Sequence, residues 1–146
     1  MPRLLAAALL VLASCRPATT LDEFLTREIT LPDGFKIRAE VMTRPEDMMR
    51  GMMFRNELPE GRGMLFVHGE PGNYAYWMYQ VRIPLDIVWL DSTRRIVEVS
   101  QNTPPCKTVA SQCPQYGGKE KALMILELPA GSVARHNLRV GNALDF

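Results

Sequence analysis

The sequence predicts a mainly β domain, a small β-sandwich or partly open barrel of seven or eight short strands with two short helices. Three observations lead to this fold class: short stretches rich in Val, Ile and aromatic residues, turn residues at close spacing between them, and only two helix-forming patterns. With 146 residues and 47% apolar side chains, the chain has the size and composition of one folded domain.

The strands are predicted from alternation and from turn residues. Residues 27–31 and 35–42 alternate apolar and polar side chains around Pro32-Asp33-Gly34, which predicts a β-hairpin. Further strands, each bounded by Gly, Pro, Asn or Ser, are predicted at Gly63–Val67, Tyr74–Tyr79, Leu85–Asp91, Arg95–Gln101 and Ala122–Leu128. A closing strand is expected at Asn142–Phe146.

Two short helices and one irregular connection complete the predicted order. Thr43 and Glu46 are three residues apart with a proline between them, which predicts a capping-box start for a helix ending at Gly51 or within the next four residues. Residues 132–137 are expected to form one or two helical turns. Residues 102–121 hold three prolines and two glycines and are expected to be irregular.

The N-terminal segment has the pattern of an export signal. A short basic start and the apolar run Leu4–Leu12 precede Ala13-Ser14-Cys15, an order that resembles the bacterial lipobox, in which the cysteine carries lipid. We therefore expect residues 1–14 to be a lipoprotein signal peptide, residues 15–24 to form the lipidated Cys15 and a polar tether, and residues 25–146 to form the domain. A plain signal peptide that happens to contain a cysteine is the alternative.

Lipidation would place the protein in the cell envelope. We expect a membrane partner through the lipid anchor, with the domain facing the periplasm. Arg16 rather than Asp follows the cysteine, which favours the outer membrane if the organism is Gram-negative. Seventeen basic residues against sixteen acidic ones lack the positive surplus of nucleic-acid binders, so no nucleic-acid partner is expected.

The two remaining cysteines are predicted to form a disulfide. With Cys15 used for lipid, Cys106 and Cys113 are an even count in an oxidising compartment. Six residues lie between the two cysteines, which is long enough for the chain to reverse direction and bring them together. The bond would hold the long irregular connection in place.

Five ordered segments resemble a known family, the domain-of-unknown-function family 192. They are R-G-M-M-F-R at 50–55, G-M-L-F at 63–66, W-M at 77–78, I-P-L-D-I-V-W-L-D at 83–91 and L-E-L-P-A-G at 126–131. The resemblance covers residues 29–146 and implies a compact, mostly β domain of several coiled sheets that is often exported. It implies no established reaction or ligand. One departure is the stretch Tyr79–Arg82, where the family commonly has a polar Lys-Asn-Thr-like sequence.

Asp86 is a candidate residue of a ligand site because it is an acidic residue in an otherwise apolar segment. It lies in a strand that is apolar on both faces, so we expect it to be buried. One interpretation is structural, with Asp86 paired to an arginine or to backbone amides. The other is functional: Asp86, with Arg50 or Arg55 and an aromatic ring such as Trp77, forms the polar end of a ligand cleft.

A methionine cluster gives a rival hypothesis. Met48, Met49, Met52 and Met53 form i, i+4 pairs if the helix continues through them, and thioethers select Cu(I). Core packing is the other explanation, because methionine is an adaptable core filler. We therefore expect no cofactor, with bound copper as the alternative.

The sequence favours binding over catalysis. It has no G-x-S-x-G elbow, phosphate loop or zinc-binding pair, and His68 and His136 are expected to be solvated. A carboxylate pair for glycoside hydrolysis is a weaker hypothesis, with four candidates at Asp86, Asp91, Glu98 and Glu127. We expect a non-catalytic envelope domain that binds a small ligand or an envelope component.

Overall fold

The computed structural model describes residues 25–146, so the predicted signal peptide, Cys15 and tether lie outside the described residues. The fold is mainly β, with 46% strand and 11% helix. Its strands are β1 (Thr26–Thr30), β2 (Lys36–Met42), β3 (Arg62–Gly72), β4 (Ala75–Trp77), β5 (Leu85–Leu90), β6 (Ile96–Thr103), β7 (Gln115–Gly117) and β8 (Ala122–Pro129). The helices are α1 (Pro45–Arg50), α2 (Ser132–Arg135) and a 3-10 turn at Ala110–Gln112. None of the helices in this part of the chain is long and apolar enough to span a membrane.

Six strands form one mixed sheet in the order β1-β2-β3-β8-β5-β6, and β4 and β7 form a second, two-stranded sheet. Among the strands of residues 25–146, β2 and β3 are the one parallel pair, and the other pairs are antiparallel. The predicted mainly β class is confirmed, and residues 25–146 form no closed barrel.

The C-terminal segment shows how far the large sheet curls. The predicted closing strand at 142–146 is wrong, because this segment makes only isolated bridges, Ala143 with Arg95 and Asp145 with Thr30. Thr30 ends one edge strand, and Arg95 immediately precedes the other. Ala143 and Asp145 are only two positions apart in the C-terminal segment, yet each bridges to a different edge of the sheet. The two edges therefore lie close together at this end, as in a partly open barrel.

The two faces of the large sheet bury separate apolar clusters. On β5, Val88 and Leu90 belong to a first cluster, under α2 and the C-terminal segment, and Ile87 and Trp89 belong to a second. All six residues of β5 are buried, as the sequence predicts for a central strand. The second cluster lies beneath α1 and the small sheet.

The small sheet is fixed to the second face through Trp89. The indole Nε1 donates a hydrogen bond to the Tyr74 carbonyl at 2.7 Å. Gly117 of β7 has a φ of +70°, and a Cβ there would lie 2.1 Å from the indole. Only glycine permits this approach, so β7 can rest directly on the ring.

The predicted disulfide is confirmed: Cys106 and Cys113 are bonded, with their Cα atoms 5.6 Å apart. The Cys106 amide donates to the Met78 carbonyl at 3.1 Å, immediately after β4. The disulfide therefore closes the connection between β6 and β7, and the Cys106 amide holds the start of that loop next to the end of β4.

The predicted capping box of α1 is wrong. The N-cap is Arg44, no side chain caps the helix, and Pro45 follows at the first helical position. The helix thus starts one residue too late for Thr43 to cap it. Arg44 Nε instead donates to the Asp47 carboxylate at 2.6 Å, across the first turn.

Candidate functional site

A pocket of about 460 Å³ lies on the second face of the sheet, between α1 and the small sheet. This volume is in the range of sites for small organic molecules. Its walls are mostly thioethers and rings, supplied by Met48, Met49, Met52, Met53, Phe66, Tyr76, Trp77 and Tyr79. Besides the tyrosines and Trp77, the polar residues that line it are Arg50, His68, Gln115 and Glu127.

The methionine wall depends on the end of α1. The helix stops at Arg50, and Gly51 follows with a φ of +43°. A Cβ on Gly51 would lie 3.2 Å from the Phe66 ring, so glycine lets this wall approach the sheet. Met52 then turns into the core at 1% exposure, whereas Met49 is 68% exposed.

The i, i+4 methionine pairs expected from the sequence therefore do not lie on one continuous helix, because the second member of each pair follows Gly51. All four methionines nevertheless line the same pocket. Among residues 25–146, no three His, Cys, Asp or Glu side chains are grouped to hold a metal ion. Any copper site here would depend on the thioethers.

The opposite wall is aromatic. The rings of Trp77 and Tyr79 are 5.3 Å apart, and the Tyr76 ring meets Phe66 edge-on at 5.1 Å. Tyr76 also packs edge-on against the buried Trp89. Since Trp89 is fixed by the sheet, this wall has a rigid support.

Glu127 is the buried carboxyl of the pocket. It lies on β8, between Met64 of β3 and Ile87 of β5, and is 4% exposed. Its Oε2 has no hydrogen-bond partner among residues 25–146. Burial raises the pKa of the Glu127 carboxyl to about 8, and the positive charge of Arg55 opposes this rise in part. An unpartnered buried carboxyl is costly, so it marks a place where a ligand group can bind.

Arg55 is held beside the pocket by Glu40. Its two terminal nitrogens donate to the two carboxylate oxygens, each at 2.6 Å. The Glu40 side chain is 4% exposed, so this is a largely buried, bidentate ion pair. The charge of Arg55 is therefore already balanced by Glu40.

His68 and Tyr76 are the other titratable pair at the pocket, with His68 Nε2 and the Tyr76 hydroxyl 3.2 Å apart. Burial lowers the pKa of His68. Burial and the nearby charge of Glu127 raise the pKa of Tyr76. Both groups are therefore neutral near pH 7.

The expectation that both histidines are solvated is wrong. His68 is half-buried and stacks on Tyr74, with ring centroids 3.5 Å apart. His136 is buried, and its Nδ1 lies 2.7 Å from the Asp33 carboxylate.

Asp86 is buried as predicted, but it lies away from the pocket. It has no exposed surface, and its two oxygens accept the backbone amides of Asn102 and Val133, each at 2.7 Å. Val133 is in the first turn of α2, which covers the other face of the sheet. Asp86 thus fixes α2 and the end of β6 to the sheet through backbone amides.

Of the predicted ligand residues, the structure brings Arg50 and Trp77 to the pocket. Arg55 lies beside it, paired with Glu40, and Asp86 is not brought together with the other three. The sequence predicts Glu127 only as a member of a carboxylate pair, yet a single acidic residue inside an apolar strand is as clear a signal for Glu127 as for Asp86.

Solved structures of other proteins share this fold, among them the following two. A protein of unknown function from Novosphingobium aromaticivorans is 24% identical, with a TM-score of 0.77 over 92% of this chain and 94% of that one. A protein from Sinorhizobium meliloti, described as a "putative transcription regulator", is 25% identical, with a TM-score of 0.75 over 84% of this chain and 94% of that one.

No curated protein is significantly similar to this sequence. Residues 28–146, however, match the family DUF192, described as "Uncharacterized ACR". The match spans nearly all of the described domain and confirms the resemblance found in the five sequence segments. The chain belongs to the DUF192 family.

Proposed function

We propose that this protein is a cell-envelope lipoprotein whose domain binds a small organic ligand in the methionine–aromatic pocket. One observation carries the proposal: a mostly apolar pocket of about 460 Å³ is lined by a buried carboxyl whose Oε2 lacks a partner among the described residues. Such a combination is typical of sites in which apolar walls provide affinity and one polar group fixes orientation.

The family-like segments support the choice of this pocket. Four of the five contribute lining residues, namely 50–55, 63–66, 77–78 and 126–131. The fifth, residues 83–91, supplies Trp89, on which the aromatic wall rests. The segments that mark the family thus converge on one site.

A binding role suits the chemistry of the pocket better than catalysis. The predicted glycosidase pair needs two carboxyls about 5 to 10 Å apart across one cleft. Asp86 is turned to the other face of the sheet, and Glu127 is the one acidic residue lining the pocket within residues 25–146. The geometry offers a single carboxyl among apolar walls.

Cu(I) binding is the second candidate, because four thioethers line the same pocket. The pocket volume favours an organic ligand, since a single ion needs ligands within about 2–3 Å of one point. Copper titration under reducing conditions, followed by mass spectrometry, separates the two candidates.

The test of ligand binding uses protein isolated from its own cell envelope. Native mass spectrometry should detect a bound organic molecule that is lost on denaturation. Ala75→Phe places a ring in the pocket wall and should abolish retention, whereas Val140→Phe, at an exposed site, should not. Recovery of bare protein from every preparation, or equal retention by both variants, would contradict the proposal.

The membrane anchor has a separate test. Cys15→Ser should move the protein from the membrane fraction to the soluble fraction or leave an uncleaved precursor. If the variant stays membrane-bound and is cleaved as before, the anchor is not a lipid on Cys15.

A further inference from the structure

The charges around the pocket do not balance when Glu127 is ionised. Arg55 lies close enough to influence Glu127, but both carboxylate oxygens of Glu40 already pair with it at 2.6 Å. Ionised Glu127 therefore leaves this group of three with one uncompensated negative charge. The missing partner is one positive charge.

The other elements around the pocket do not supply that charge. His68 on β3 and Tyr76 on β4 are neutral near pH 7, as described above. Arg50, at the end of α1, is exposed and so lies at the solvent side of the pocket. Among residues 25–146, no side chain supplies the counter-charge, so it must be either a proton on Glu127 or a bound cation that replaces that proton.

The walls suit an organic cation. Faces of aromatic rings attract ammonium groups, most strongly when water is excluded, and thioether sulfur is polarisable. Tyr76, Trp77 and Tyr79 line the pocket with the methionines, and the volume of about 460 Å³ holds an amine with an apolar tail. The apolar walls would contact the apolar tail of such a ligand, and the Glu127 carboxylate would pair with its ammonium group.

From this charge balance we infer that the ligand of the pocket is an apolar organic cation, an amine whose ammonium group pairs with the Glu127 carboxylate. The inference rests on the proposed binding function and adds the chemical class of the ligand. A proton accompanies binding: Glu127 releases it to solvent as the ammonium group donates to the carboxylate. No bond of the ligand is made or broken.

Three probes of similar size and different charge test the inference: 3-phenylpropylamine, 3-phenylpropan-1-ol and 3-phenylpropanoate. Titration calorimetry of the purified protein at pH 7, with indole fluorescence as a second readout, measures each affinity. The amine should bind at least tenfold more tightly than the alcohol, and the carboxylate most weakly. Heats measured in buffers of different ionisation enthalpy should show release of close to one proton.

The pH dependence gives an independent readout. Because burial keeps Glu127 protonated, the amine must displace a proton, and its affinity should rise up to tenfold per pH unit between pH 5.5 and 7.5. Glu127→Gln should remove both this dependence and the preference for amine while still binding the alcohol. Glu120→Gln, an exposed change outside the pocket, should behave as the wild type.

Each other outcome has a definite meaning. If the alcohol binds as tightly as the amine, or Glu127→Gln keeps the preference for amine, the cation inference is wrong and the proposed binding function stands. If none of the three probes binds at millimolar concentration, both are overturned. Binding of the carboxylate in preference to the amine would reverse the inferred charge of the ligand.

Discussion

The unfolding free energy of this domain should fall as the pH rises from 5 to 8, and Glu127 should be the cause. The carboxyl has an ordinary pKa near 4.5 when the chain is unfolded and one of about 8 when it is folded. Between these values the folded protein holds a proton that the unfolded chain has released. Each rise in pH therefore favours the unfolded chain until the folded carboxyl also ionises.

The magnitude follows from the difference between the two pKa values. One pH unit within this interval is worth at most about 1.4 kcal/mol, so the loss between pH 5 and pH 8 is on the order of 4 kcal/mol. Carboxylates with lowered pKa, such as Asp33, which accepts the Phe35 amide, act in the opposite sense and below about pH 4. The two effects occupy separate pH ranges.

Urea denaturation followed by indole fluorescence, at half-unit steps from pH 5 to pH 9, measures this loss. Glu127→Gln cannot ionise, so the fall in stability should disappear and the variant should be more stable than the wild type at pH 8. The lowered pKa of His68 acts in the opposite sense in both proteins, adding a rise in stability as the pH approaches 6.5. Glu120→Gln is the control for removing an exposed carboxyl. Parallel stability curves for the wild type and Glu127→Gln from pH 5 to 8 would refute the assignment of the raised pKa to Glu127.

Three further changes test the fold around the site by urea denaturation. Asp86→Asn should lower the unfolding free energy by about 2–4 kcal/mol, because an amide group cannot accept both backbone N–H groups as the carboxylate does. A loss below about 0.5 kcal/mol would be inconsistent with these two contacts. Replacing Cys106 and Cys113 by serine should cost about 2–3 kcal/mol, and addition of a reductant to that variant should have no further effect. Gly117→Ala should lower the unfolding free energy by about 2 kcal/mol more than Gly141→Ala does. Both glycines have a positive φ, but only at position 117 would the new methyl group collide with the Trp89 indole, so equal losses would contradict that contact.

The long apolar strands could be predicted from the sequence because both of their faces are buried. Leu85–Leu90 and Ala122–Pro129 each differ from the predicted bounds by one residue at the C-terminal end. β7 could not be predicted, since its three residues pair only with β4, about forty positions earlier. Its extended shape depends on contact with the indole of Trp89, and local sequence carries no sign of that contact.

The site was only partly predictable for a related reason. Arg50 and Trp77 line the pocket, but the prediction of Asp86 as its polar group depended on which face of β5 would meet α1. Alternation shows that two residues of a strand lie on opposite faces, not which layer covers each face. That is decided by long-range packing, here by α2 on one side and by α1 with the small sheet on the other.

Asp86 and Glu127 show how this packing divides two similar residues between structure and function. They lie on adjacent strands, where Asp86 is opposite Leu128 and Glu127 is opposite Ile87. The two residues are therefore offset by one position along the sheet, and their side chains lie on opposite faces. Asp86 has two backbone amides, and its interactions are complete without any ligand. Glu127 has an oxygen with no partner among the described residues, at the pocket. Asp86→Asn should therefore reduce stability and spare ligand binding, and Glu127→Gln should spare stability near neutral pH and reduce binding. If both variants lost the same property to the same degree, the division of roles would be wrong.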